Sequence, residues 1–468
     1  MPFLFSSMTH SPSSFSLLQD RLARIAAEHP GVDIWVAYSG GLDSRVLLQL
    51  AVDSGLNKQG RLKAVHVHHG LQAQADDWAR HCQSSCDSLG VALRVHRVPV
   101  GSGSGLENRA RIARYQVFES LLADGDLLLQ GHHADDQSET LLLRLMRGSG
   151  VRGLASIPAT RALGRGRLLR PLLSYGRQQL HGYAQQHGLS WIEDPSNLDT
   201  RHDRNYLRAK VLPLLRHRWP HAVQSLGLSA SNCADAQRLC QELAAIDLQA
   251  CVQDDAGLAI PRLAGLSAHR RSNVLRYWLQ ELAGVSPDEA LLQRLWTEVA
   301  LAQADAQPQL ELGAITLRRF EDGLYLLPES SPAAAERVWD WPVDSHCRSE
   351  LQLPGGTLQA EPVAGAGLAL PSSGCLQVRL RTGGERIQLP GRVGRRSLKK
   401  LLQQQRVAPW LRQQLPLLYD GERLLAVADL WIAEGHAAAP GAPGIRLSWA
   451  PRDVPLTVSA QLSQVGDF

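Results

Sequence analysis

Two kinds of hydrophobic spacing alternate through the first part of the chain. Short unbroken apolar runs have strand length, and apolar positions three and four apart have the period of an amphipathic helix. Leu17, Leu18, Leu22, Ile25 and Ala26 predict a leading helix over Ser16–His29. Val32–Tyr38 reads as a buried strand, and Val46, Leu47, Leu48 and Leu50 form the apolar face of the helix after it. Strands are expected again over Arg61–Gly70, Ala92–Val98 and Leu127–Gln130, separated by helices over Gln74–Leu89 and from Leu106. A Ser-x-x-Glu capping box, Ser104–Glu107, starts that last helix. Asp135–Arg147 is a further helix, closed by Gly148. Strands alternating with helices imply a doubly wound parallel sheet, in which ligands bind beyond the carboxyl ends of the strands. Ser39–Ser44, His68-His69 and His132-His133 all fall at such ends and are expected to converge.

After Pro213 the pattern changes. Asp235–Leu248 and Ser267–Leu282 read as helices, and Ser286-Pro287-Asp288-Glu289 as the capped start of another. Ile315–Phe320 and Leu324–Leu327, split by Asp322-Gly323, read as a hairpin. The domains expected are therefore an α/β unit over 1–215, a mainly helical unit with a terminal hairpin over 216–330, a linker region over 331–374 and a small α+β unit over 375–450. The linker begins in the Pro- and Ala-rich stretch Pro328–Ala335. In the last unit, strands near Leu376–Leu380 and Leu424–Ile432 flank a basic helix, Ser397–Gln405.

Composition narrows the class. An apolar fraction of 44% and a charged fraction of 20% are those of a globular chain. No run approaches the about 18 apolar residues of a membrane span, and Met1–Ser16 lacks the basic and apolar regions of a signal peptide. Seven scattered cysteines without a Cys-x-x-Cys pair suggest reduced thiols in a cytoplasmic protein and no zinc or iron–sulfur site. Net charge is only +4, so its distribution matters more than its sum. Arg379–Arg412 holds ten Lys or Arg, among them Arg395, Arg396, Lys399 and Lys400, against one acidic residue, Glu385. Like charge this dense favours a polyanion such as RNA, a solvated basic face being the alternative.

The candidate chemistry centres on Ser39-Gly40-Gly41-Leu42-Asp43-Ser44. Two glycines between a strand and a helix let the backbone approach an anion, with the helix N-terminus pointing at it. Ser39 and Ser44 add hydroxyls, and Asp43 can reach a magnesium ion. An ordinary strand–turn–helix corner is the plainer alternative. The nucleotide-binding loop Gly-x-x-x-x-Gly-Lys-Ser/Thr is excluded, because no lysine ends this loop. Glu107, Arg111 and Arg114 share a helix face suited to phosphate, with Ile112, Tyr115 and Phe118 toward the sheet. Asp136 and Glu139, three apart, can bind magnesium or the ammonium of an amine, while His132 can act as a donor to nucleotide or carry a proton. Glu193–Asn197 is a polar loop leading to Arg204, Asn205 and Arg208.

These stretches, with His66–Leu71, Glu107–Tyr115, Gly131–Gly150, Arg170–Leu173 and Ser397–Arg412, resemble the tRNA(Ile)-lysidine synthetases, a family of PP-loop ATP pyrophosphatases. His68 and His202 depart from that family's usual Asn or Asp and aromatic residue. The resemblance implies ATP and Mg²⁺ as cofactors, and free L-lysine and an isoleucine tRNA with a CAU anticodon as substrates. ATP would adenylate the wobble cytidine, releasing pyrophosphate, and the lysine amine would displace AMP to leave lysidine. It further implies ATP binding at Ser39–Ser44 and Arg111, Mg²⁺ near Asp43, and His132 positioning the nucleotide. Asp136 and Glu139 would hold lysine, and Arg204, Arg208, Arg395, Arg396, Lys399 and Lys400 would contact tRNA. A dimer is among the assemblies considered. Rival readings are a PP-loop amidating enzyme, a PP-loop tRNA thiolase and a non-catalytic RNA-binding protein. The first lacks a cysteine in a glutamine-hydrolysing context, the second a reactive cysteine pair. The intact loop and the Asp136/Glu139 pair speak against the third.

Overall fold

The computed structural model describes residues 13–70, 74–99, 105–253, 257–303, 306, 308–328, 338–344, 346–371, 373–452 and 454–457. Ser104 of the expected capping box, the Glu107 side chain and Glu329–Ala335 of the expected linker lie outside them. The chain divides into two compact units, residues 1–239 and 240–468, the division falling inside one helix, Ala222–Cys251.

The first unit runs α1 (Ser13–Glu28), β1 (Ile34–Ala37), α2 (Leu42–Asp53), β2 (Leu62–His68), α3 (Ala75–Ser88), β3 (Ala92–Arg97), α4 (Leu106–Leu121), β4 (Leu127–Leu129), α5 (Ala134–Met146) and α6 (Val151–Leu154). It continues through β5 (Thr160–Leu163), β6 (Gly166–Leu169), α7 (Arg177–Gln186), α8 (Asp203–Tyr206), a wide turn over Leu207–Val211, α9 (Leu212–Arg218) and α10 (Ala222–Cys251). The sheet order is β3-β2-β1-β4-β6-β5, parallel except for β5. Alternation along β1 splits the core in two. Ile34 and Val36 join Leu18, Leu22, Val46, Leu47, Leu50 and Leu180, while Trp35 joins Val65, Phe118, Leu122 and Leu168. Both faces are therefore wrapped, as the strand–helix alternation predicts. Two residues depart from that reading, because Leu17 of α1 is 70% exposed and Ile112 of α4 is 50% exposed. In α4 the sheet-facing row is Tyr115, Phe118 and Leu122.

Because β2 and β3 lie on one side of β1 and β4 on the other, the chain reverses its winding between β1 and β4. That is where the loops leaving the carboxyl ends of two neighbouring strands diverge and open a crevice.

In the second unit, α11 (Ile260–Gly265), α12 (Ala268–Ala283) and α13 (Glu289–Arg294) pack on a sheet ordered β7-β10-β9-β8 (Leu258–Ala259, Gly323–Pro328, Ile315–Phe320, Gln309–Glu311). The hairpin turns where Asp322-Gly323 places it, but α13 is capped by Asp288, whose side chain accepts from the Leu291 N–H at 2.8 Å, rather than by Ser286. The region expected as a linker is corrected by β11 (Val338–Pro342), β12 (Ser349–Leu353), β13 (Gly356–Ala364) and β14 (Leu368–Ala369). These strands find their partners far along the chain: β11 pairs with β15 (Cys375–Leu380), and β13 and β14 with β16 (Pro443–Pro451). Long-range pairing of this kind leaves little local signal. The basic helix, Leu398–Gln404, buries Leu398, Leu401 and Leu402 and leaves Lys399 and Lys400 exposed, with Arg395 and Arg396 exposed just before it. Among the described residues no helix is long and apolar enough to cross a membrane.

Candidate active site

The loop after β1 is held in shape by its own side chains. Ser39 N–H donates to Ser44 Oγ at 3.2 Å, the two hydroxyls lie 3.1 Å apart, and Ser44 Oγ donates to the Gly41 carbonyl at 3.0 Å. Gly40 has φ +85°, and a Cβ there would lie 2.5 Å from Ile192 Cδ1 and 2.9 Å from Cys82 Sγ. Only glycine meets both demands. The Gly40 carbonyl accepts from Ile192 N–H at 2.9 Å, which fastens the polar 193–197 loop beside the glycines. Gly41 ends the turn as the residue before α2, so the first-turn N–H groups of Leu42–Ser44 face outward, where a helix cannot satisfy them itself.

Across the crevice, the loop after β4 comes so close that a Cβ on Gly131 would lie 3.1 Å from the Asp43 backbone. Between the two loops opens a cleft of 230 Å³. Ser39, Gly41, Asp43 and Ser44 line it on one side, Gln130, Gly131, His132 and Asp136 on the other, and Arg114 also borders it. Of the strand ends expected to converge, Ser39–Ser44 and His132 meet at this cleft, whereas His68 and His69 are outside its lining: His68 pairs with Asp76, and His69 Nε2 lies 3.5 Å from the bordering Arg114. Arg111 stands apart from this lining, exposed, with its guanidinium 5.2 Å from the Tyr115 ring.

α5 starts with His133 as its cap: His133 Nδ1 accepts from Asp135 N–H at 3.2 Å, and Asp136 Oδ2 accepts from His133 N–H at 3.0 Å. Asp136 is thus both part of a helix cap and part of the cleft wall. Asp135 turns elsewhere, accepting from Arg177 N–H at 2.9 Å and pairing with Arg216. One turn deeper, Glu139 is fully buried. Arg204 and Arg208, a turn apart on α8 and the wide turn after it, meet both acidic side chains. Arg204 reaches Glu139 through Nε at 2.7 Å and Asp136 through Nη2 at 3.1 Å. Arg208 reaches Glu139 through Nε at 2.7 Å and Nη2 at 3.1 Å, and Asp136 through Nη2 at 3.1 Å. Two residues read from sequence as tRNA contacts and two read as lysine ligands therefore form one ionic quartet in this conformation.

Charge tunes the neighbours. Burial alone would raise the Asp136 carboxyl, but His133, Arg204, His132 and Arg208 together pull it down to about 2. His132 is pushed to about 4 by burial, helped by Arg170, Arg204 and Arg111 and opposed by Asp136. It accepts a hydrogen bond from Arg170 Nε at 3.0 Å on Nδ1, which leaves Nε2 as a neutral donor. Asp43 Oδ2 lies 3.5 Å from both His133 Nε2 and Arg177 Nη1. Among the described residues its other oxygen, Oδ1, is buried without a hydrogen-bond partner. That orphaned oxygen suits a hard cation, although no cluster of three or more protein ligands stands ready for one among the described residues. A Mg²⁺ ion there would have Asp43 as its protein contact and would draw its other ligands from phosphate and water.

Residues 16–215 match the PP-loop domain family, 258–325 the TilS substrate binding domain and 376–449 the TilS substrate C-terminal domain. The tRNA(Ile)-lysidine synthase of Serratia proteamaculans is 44% identical over 440 residues, covering 92% of this chain and 98% of that one. The chain belongs to the tRNA(Ile)-lysidine synthase family. The family's Pseudomonas aeruginosa member is likewise 44% identical, with 93% of this chain and 97% of its own covered. Among solved structures, a U34-tRNA thiolase from Methanococcus maripaludis aligns with 47% of this chain and 80% of its own, at 16% identity and a TM-score of 0.38.

Three residues that support the cleft of this lysidine-synthase-family chain have contacts the sequence reading did not assign. Arg177 reaches Asp43 from the start of α7, more than a hundred residues along the chain, and nothing local singles it out. Arg170 directly follows β6 and supports His132, a role visible only once the sheet order is known. His133 is the third, and adjacency to His132 is the one available signal.

Proposed function

We propose that this chain joins free L-lysine to C2 of the wobble cytidine in an isoleucine tRNA with a CAU anticodon, in two steps within this cleft. In the first, cytosine O2 attacks the α-phosphorus of ATP and pyrophosphate leaves. In the second, the lysine ε-ammonium gives up a proton to water, the free amine attacks C2, the C2–O2 bond breaks as AMP leaves with that oxygen, and lysidine remains. One observation carries the reading: the glycine-bent loop and Asp136 face each other across the crevice at the reversal of the sheet, with Glu139 buried one turn behind Asp136.

The geometry supports a role for each residue. Outward N–H groups of Leu42–Ser44 suit the diphosphate as charge gathers on it. Asp43 would hold Mg²⁺, which when bound neutralises phosphate charge and favours departure of the pyrophosphate. His132, neutral with Nε2 as donor, orients a nucleotide oxygen; Arg114 supplies positive charge at the cleft border, and Arg111 does so from outside the lining. Asp136 and Glu139 receive the lysine ammonium. An unpaired buried carboxylate is expensive, so before substrate arrives Arg204 and Arg208 satisfy the pair. Both guanidiniums are about one-third exposed, at 34% and 28%, and can turn outward to tRNA phosphate as the ammonium enters. Arg395, Arg396, Lys399 and Lys400 grip the tRNA body by its backbone. The setting is the cytoplasm.

The test is a turnover assay with single omissions. AMP and pyrophosphate should form in a completed cycle only when ATP, tRNA and lysine are all present. Equal turnover with ammonia, glutamine or a sulfur donor in place of lysine would reject the assignment. Asp43→Ala should abolish adenylation and leave tRNA affinity nearly intact; weakened tRNA binding instead would make the loop structural.

A further inference from the structure

His133 is fully buried at the corner where α2 and α5 begin, and among the described residues its Nε2 makes no hydrogen bond. Its backbone N–H binds Asp136, and its Nδ1 accepts from the Asp135 N–H. A ring nitrogen that accepts carries no proton, so in the neutral ring the proton sits on Nε2. Nε2 lies 3.5 Å from Asp43 Oδ2 and 3.5 Å from Asp136 Oδ2. One N–H is thus aimed between two carboxylates that serve different steps, Asp43 on the phosphate loop and Asp136 in the ammonium pocket. Among the described residues no other side chain comes within ion-pair distance of both. Arg177 holds Asp43 from one side, and Arg204 and Arg208 hold Asp136 from the other.

We propose that His133 is a positioning residue whose Nε2–H fixes Asp43 and Asp136 relative to each other, so that nucleotide activation and amine capture share one geometry. The proposal rests on the two-step reading above. Two carboxylates sharing a corner repel when nothing lies between them, and each would then follow its own arginines away from the cleft. The bridge keeps the loop from shifting independently of α5. Its removal is therefore expected to damage both half-reactions together, although His133 touches neither substrate.

Two variants separate this role from helix capping. Asn is a favoured cap, and His133→Asn keeps an acceptor for the Asp135 N–H while being too short to place a donor between the carboxylates. His133→Gln loses the good cap but carries an N–H₂ group toward the Nε2 position. The measurements are adenylation of tRNA by ATP, the KM for lysine, and the melting temperature of the full chain, with wild type alongside. Expected for His133→Asn is a melting temperature within about 2 °C of wild type, adenylation slowed at least tenfold and lysine KM raised at least fivefold. His133→Gln should recover part of both kinetic losses despite melting lower. His133→Asn matching wild type within twofold in both assays would overturn the proposal. So would losses in the two variants that simply follow their melting temperatures. Wild type failing to use lysine would instead sink the two-step reading itself, which keeps the two failures distinct.

Discussion

Replacing Glu139 by glutamine probes the ionic quartet at its most buried member. The side chain is fully buried and takes three charge-assisted hydrogen bonds, two at 2.7 Å and one at 3.1 Å, from Arg204 and Arg208. Glutamine is nearly the same shape, so packing survives. It removes the negative charge, however, and turns one oxygen into an N–H₂ facing a guanidinium. Breaking a fully buried ion pair from one side costs about 3–5 kcal/mol. Here the arginines are about one-third exposed and can rotate toward water, which trims the cost to about 2–3 kcal/mol. For a unit of this size that is a fall in melting temperature of about 5–10 °C. Urea denaturation of wild type, Glu139→Gln, Arg208→Met and the double variant checks the value. In the double-mutant cycle the pair should couple by at least about 1 kcal/mol, because Arg208→Met removes a cation that Glu139→Gln has left with Asp136 as its remaining partner. The same Glu139→Gln protein should show a raised KM for lysine with tRNA affinity unchanged. A stability change under about 0.5 kcal/mol, with additive single effects, would show that the quartet carries no net charge coupling.

Other consequences are more local. Gly40→Ala forces a side chain into φ +85° and against Ile192 and Cys82; the strain and overpacking should cost about 2–4 kcal/mol in thermal denaturation and remove ATP turnover. Lys399→Glu with Lys400→Glu should weaken tRNA binding and lower its salt slope by about one for each phosphate no longer neutralised, measured by filter binding across salt concentrations. His132, with its folded pKa depressed to about 4, adds stability that is complete above its unfolded value near 6.5 and fades as pH falls toward 4. Denaturation midpoints of wild type and His132→Gln should therefore converge as pH falls through that window, and the wild-type adenylation profile should show no His132 step near 6.5.

Much of the cleft is legible in the sequence because its parts carry local signatures. The strand, the Gly-Gly turn and the helix at 32–50 announce an anion loop by composition alone, and strand–helix alternation places His132 and Asp136 at the same rim. What stays hidden is held together by contacts that skip most of the chain. Arg204 and Arg208 lie more than sixty residues from Glu139, and i,i+4 spacing on a helix looks the same whether it faces solvent or a carboxylate pair. The strands between 338 and 369 escape sequence reading for a related reason. Gly-, Ala- and Pro-rich segments such as Gly356–Ala364 have weak period-two patterning, and their partner, Pro443–Pro451, arrives only at the end of the chain. β5 is a further case, adding antiparallel to β6 at the sheet edge through a two-residue turn, Gly164-Arg165.

The most direct test of lysine ligation is to incubate isoleucine tRNA of CAU anticodon with the protein, ATP and labelled L-lysine, then digest the tRNA to nucleosides. The label should appear in a single modified cytidine from the wobble position, with one AMP and one pyrophosphate released for each lysine bound. Label absent from that nucleoside, or ATP consumed to ADP, would contradict the proposed chemistry.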